Sequence, residues 1–213
     1  MSEKNTFMTR ERQIILAARV ISLMFTPFYL PILGLVALFF LSYLRQYPLS
    51  YKFFVLAVVY FFTILLPTLL IHLYRRYQGW SLIEIGHKER RIVPYLISIL
   101  CYFVCLYMME QMHIPFFMRS IVAAALIIQI VCALINVWWK ISTHTAAIDG
   151  VAGALFVFSE VFRFNPVWWF CLVIGIAGIL GTSRMILRQH TLLQVVVGFV
   201  VGFICALFAI LKI

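Results

Sequence analysis

The sequence predicts an all-α, polytopic transmembrane helical bundle of six to seven spans. Two observations carry this. Of 213 residues, 65% are hydrophobic and 11% charged, and the mean hydropathy of +1.06 lies far outside the range of soluble domains. Apolar stretches of about twenty residues, enough to cross a hydrocarbon core, recur from end to end. They lack the alternation of barrel strands, so helices must satisfy the backbone.

Reading apolar runs between charged or proline punctuation gives candidate spans at 14–44, 52–74, 95–112, 117–138, 144–162, 166–182 and 190–211. A charged segment, 1–13, precedes a single membrane domain, 14–213, and no polar stretch is long enough for a separate soluble domain. The first run is too long for a signal-peptide core and lacks a small-residue cleavage site, so it is expected to stay as an anchor. Pro27 and Pro31 predict a kink within it, and Asn165-Pro166 a turn between the fifth and sixth spans.

Cys101, Cys105, Cys132, Cys171 and Cys205 fall inside apolar runs without zinc-type spacing, so packing is expected of them, not disulfides or a metal. The formal charge of +10 sits beside membrane segments, where anionic lipid and topology explain it better than nucleic acid does. Trp138, Trp139, Trp168 and Trp169 fall at span ends and read as interfacial belts.

Counting spans puts the loops after the second, fourth and sixth on one membrane face. They bring together polar segments near 75–94, 140–145 and 182–194. The last contains Ser183-Arg184, then His190 and Gln194. His190 and Gln194 are four apart and on a helix would share a face, letting the amide bond one ring nitrogen. Arg184 offers a fork of donors for phosphate oxygens. In the middle segment Ser142 and Thr143 are suited to cap the helix that carries His144, and a helix N-terminus is an anion site. The first segment adds Lys88, Arg90 and Arg91 ahead of Pro94.

These residues resemble the type 2 phosphatidic acid phosphatase superfamily, whose three blocks are Lys, six residues, Arg-Pro; then Pro-Ser-Gly-His; then Ser-Arg, five residues, His, three residues, Asp. The third block matches at Ser183-Arg184 and His190, with Gln194 standing where the family has Asp. The second matches through Ser142 and His144, with Ile141 for Pro and Thr143 for Gly. In the first, Lys88 and Arg91 are three apart, Glu84 occupies the lysine position counted from Arg91, and Pro94 does not directly follow the arginine.

The resemblance implies a phosphatidic-acid-phosphatase/haloperoxidase-like core and a metal-independent, cofactor-free lipid phosphatase. It would hydrolyse a phosphomonoester or diphosphate of a phospholipid or other lipid through a phosphohistidine. His190 would attack phosphorus, and His144 would protonate the departing alkoxide and then activate water. Lys88, Arg91, Arg184, Ser142 and backbone near Thr143 would hold the phosphate oxygens. Gln194 can fix the tautomer of His190 but lacks the charge of a carboxylate.

Other residues carry blander readings. Asp149, about one turn into the fifth span, needs a cationic partner or a proton, and a structural ion pair is preferred to a catalytic role. Lys140 either snorkels or touches substrate, and Ser183 is a secondary site residue by motif. His72, His87 and His113 read as interfacial. Rival functions are a non-catalytic lipid-phosphate binder and a lipid phosphotransferase. A transporter lacks its paired broken helices. Lys and Arg favour the N-terminal face as the inside, which puts the expected site on the cytoplasmic side of a bacterial inner membrane, although many relatives of that family work on the outer side.

Overall fold

The computed structural model describes residues 2–41, 46–77 and 89–211, with side chains over 11–39, 46–77 and 92–211. Among the described residues the regular structure is helical: α1 (Ser2–Met24), α2 (Leu30–Leu41), α3 (Leu49–Tyr60), α4 (Leu66–Tyr77), α5 (Glu89–Gln111), α6 (Phe116–Trp138), α7 (Thr143–Phe162), α8 (Val167–Ile186) and α9 (Leu192–Leu211). A π-turn at Phe61–Leu65 joins α3 and α4 into one rod, Leu49–Tyr77. Among the described residues six helices are long and apolar enough to cross a membrane: that rod, most of α5 from Ile92, and α6 to α9. The chain is a multi-pass membrane protein.

The expected first span is corrected. It is not one kinked helix over 14–44 but two helices separated at Phe25–Tyr29, with Pro27 in the break. Pro31 sits in the first turn of α2, where a missing N–H leaves no helical bond unmade. At 12 residues α2 falls short of the roughly twenty that span a bilayer. Residues 11–17 of α1 are exposed, and its burial begins at Ala18 and Ser22. Among the described residues its last turns reach the bundle, where Ile21, together with Phe25 just past the helix end, packs beside Leu30, Ile148 and Val173.

The core is built around Tyr102, Val55, Val59, Met118 and Val122, all wholly buried. Outside it, Phe53, Leu100, Phe103, Leu172 and Phe208 are exposed on the outer surface, which in a bilayer is solvated by acyl chains. Trp138 and Trp168 are exposed at helix ends. At the end where α5 meets α6, Arg119 pairs with Glu110 at 3.3 Å, beside an exposed His113.

The closest packing joins α7 to α9 and depends on small residues. A Cβ on Gly202 would collide with the Ala146 backbone, and one on Gly198 with Thr145 Oγ1 and the Ser142 carbonyl. From the other side, Gly153 lies against the Phe203 carbonyl, where an added Cβ would approach to 2.7 Å. Small residues four apart let two membrane helices approach backbone to backbone, and here they bring the beginnings of α7 and α9 together.

Candidate active site

The site forms where α7 and α9 begin and α8 ends. α8 stops in a Schellman turn: Gln189 N–H donates to the Arg184 carbonyl at 3.1 Å and Arg188 N–H to that of Met185 at 2.9 Å. Arg188 holds the left-handed position, φ 52°, usually given to glycine. The chain then turns through His190 into α9.

The start of α9 is a capping box. Thr191 Oγ1 accepts the Gln194 N–H at 3.4 Å, and Gln194 Oε1 accepts the Thr191 N–H at 3.2 Å. The same Gln194 oxygen lies 3.1 Å from His190 Nδ1. The expected contact between these two residues is therefore present, but its reason differs: His190 lies before the helix, not on it, and Gln194 reaches back through the cap.

Two further bonds hold the α6–α7 loop to this turn. Lys140 Nζ donates to the Gln189 carbonyl, so Lys140 ties loop to loop. Ser142 N–H reaches the Gln194 carbonyl at 3.4 Å. Ser142 is the N-cap of α7 by position, yet its hydroxyl makes no cap bond, in contrast to the capping role expected of it. Thr143 and His144 are the first two residues of α7. Arg184 and His190 lie within electrostatic reach of the His144 ring, and the Ser22 backbone is in hydrogen-bonding reach of it.

Arg184, in the last turn of α8, donates from Nη1 to Ser22 Oγ at 2.7 Å and sits within electrostatic reach of Tyr95. Tyr95 in turn accepts from Asn136 Nδ2 at 3.2 Å, while Asn136 Oδ1 takes the Ile141 N–H at 3.2 Å and steadies the loop before Ser142. Three buried polar atoms of this group have no partner among the described residues: Ser142 Oγ, His144 Nδ1 and Arg184 Nε. Buried polar atoms are normally satisfied, so such a group marks a place for a ligand or water.

Other expected residues stand apart. Ser183 is buried and donates to the Ile179 carbonyl of its own helix, so its hydroxyl is occupied away from the site. Asp149 forms no ion pair among the described residues, contrary to the structural pairing expected of it. Lys88 and His87 lie outside the described residues, as does most of the 75–94 segment. Arg90 and Arg91 belong to the first turn of α5, and their side chains also lie outside the described residues.

Sequence reasoning missed Ser22, Tyr95 and Asn136. Each is a polar residue inside or beside an apolar run, the one signal that could have found them.

Compared with known proteins, the chain matches no family model, no curated protein and no solved structure.

Proposed function

We propose that this protein is a membrane-embedded lipid phosphatase of the type 2 phosphatidic acid phosphatase kind, working through a phosphohistidine on His190. One observation carries the reading. The unpartnered Ser142 Oγ, His144 Nδ1 and Arg184 Nε gather beside a second histidine whose tautomer is fixed. Hydroxyl and guanidinium donors together suit a tetrahedral oxyanion.

The backbone N–H of Thr191 can only donate, so the Gln194 atom facing it is the carbonyl oxygen, and His190 Nδ1 must then carry its proton to bond that oxygen. Nε2 is left with the lone pair needed to attack phosphorus. In-line attack forms the N–P bond as the bond to the lipid oxygen breaks, and His144 gives a proton to that oxygen. Water, deprotonated by His144, then displaces His190 and releases phosphate. Arg184 and Ser142 stabilise the equatorial oxygens, and Lys88 and Arg91 are proposed to join them.

The lipid is a phosphomonoester or diphosphate. The excess of Lys and Arg at the site end, with Arg75, Arg76, Lys140 and Arg188, supports a cytoplasmic site face. Accessibility of a tag after α9, which ends opposite the site, tests that face. Gln194 in place of a carboxylate favours a second reading, a lipid-phosphate binder without turnover. Phosphate release from short-chain lipid phosphates by purified protein separates the two: loss of release in His190→Ala supports the phosphatase, and retained release removes it. Transfer of phosphate to an added alcohol in place of water would redefine it as a phosphotransferase.

A further inference from the structure

Two chambers lie within the bundle below the candidate site. The larger, ≈ 240 Å³, opens beside Thr143 and His144 and runs between α2, α5, α6 and α7 as far as Ala154. The smaller, ≈ 60 Å³, continues to Phe158, Phe164 and Trp169. They share Gly34, Ile121, Val151 and Ala154 as walls. From His144 to Phe158 the path along α7 is about 21 Å at 1.5 Å per residue. That exceeds half of a hydrocarbon core of about 30 Å.

The walls are mostly carbon. The Ser98 hydroxyl, one of the few polar groups on them, is turned to the Gln129 carbonyl at 3.0 Å, so that pair satisfies itself. Native interiors hold few voids larger than a water molecule, and an empty apolar cavity destabilises in proportion to its volume. A bilayer supplies hydrocarbon to fill such a space. His144 at the mouth decides which hydrocarbon, because a chain seated here has its head among the unpartnered donors of Ser142 and Arg184.

We infer that the two chambers form one tunnel for a single hydrocarbon chain of the lipid whose phosphate binds beside His144, with the walls at Phe158 and Trp169 setting the chain length accepted. The inference rests on the anion-binding reading of that site. Gly34 is the gate between the chambers: a Cβ there would meet Ile121 Cγ2 at 3.3 Å, so any larger side chain narrows the passage. Hydrocarbon that stops short of this shared wall is unaffected by that change.

The test measures binding and hydrolysis of octyl phosphate and hexadecyl phosphate, each at fixed mole fraction in detergent micelles. It uses the full-length protein, Gly34→Leu and, as a second obstruction of the shared wall, Ala154→Leu. The unaltered protein is expected to bind hexadecyl phosphate about tenfold more tightly than octyl phosphate, because the longer chain fills the second chamber. Either variant should erase that advantage and leave octyl phosphate binding within about twofold, which also reports an intact site. Equal binding of the two chains by the unaltered protein overturns the tunnel, as does an undiminished preference in a variant that still binds octyl phosphate. Chain-length-dependent binding without phosphate release supports the tunnel and removes the phosphatase reading, so the two fail separately.

Discussion

The amide oxygen of Gln194 holds two donors at once, the Thr191 backbone N–H at 3.2 Å and His190 Nδ1 at 3.1 Å. One side chain thus starts α9 and sets the tautomer of the proposed nucleophile. Gln194→Leu removes both functions, and kcat is expected to fall by about 10²-fold or more, in the range seen when an imidazole loses its orienting partner. Gln194→Glu keeps a capping-box residue and an acceptor, so it should retain far more activity than the leucine variant. Steady-state kinetics on a soluble lipid phosphate checks the order.

Ser22 links α1 to the site through its bond to Arg184 Nη1 at 2.7 Å. Ser22→Ala leaves the guanidinium charged but loosely aimed. A bond of about 1 to 1.5 kcal/mol corresponds to a drop in kcat/KM of roughly five- to tenfold. Arg184→Lys, which cannot form the fork, should cost more than Ser22→Ala. Equal activity in all three proteins would remove Arg184 from the phosphate-binding set.

Helix packing predicts a contrast among glycines. Gly202→Ala pushes a Cβ into the Ala146 backbone and should destabilise by about 1 to 3 kcal/mol, since backbone cannot step aside as a side chain would. Gly178 has nothing within 4 Å of a built Cβ, so Gly178→Ala should be neutral or stabilise by up to about 1 kcal/mol through helix propensity. Thermal unfolding in detergent reads both.

Arg188 occupies a left-handed position at the end of α8. Arg188→Gly should relieve about 1 kcal/mol of backbone strain and raise the melting temperature, while Arg188→Val should lower it. Unchanged melting in both variants would contradict the Schellman turn.

The spans were legible because apolar runs end in charge or proline. The predicted 117–138 and 144–162 became Phe116–Trp138 and Thr143–Phe162. The first run misled because hydropathy does not register a break of a few residues, although Pro27 marked the place. Counting spans made the proximity of the 140–145 and 182–194 segments readable, and Lys140 now bonds Gln189 across them. The link from His190 to Gln194 was foreseen for the wrong reason: Thr191-Leu192-Leu193-Gln194 is a capping-box pattern, and recognising it would have begun the helix after His190. Ser22 and Tyr95 were not legible, because lone polar residues acquire meaning only when helices far apart in sequence pack together.

Trapping the phosphoenzyme tests the central claim most directly. His144→Ala, mixed with a phosphorus-labelled aryl phosphate whose leaving group departs without a proton and then quenched, should accumulate an acid-labile, base-stable label on His190, because attack no longer needs the acid while hydrolysis still lacks its base. His144→Ala/His190→Ala should carry none. Label on another residue, or phosphate release by the double variant, would contradict the account.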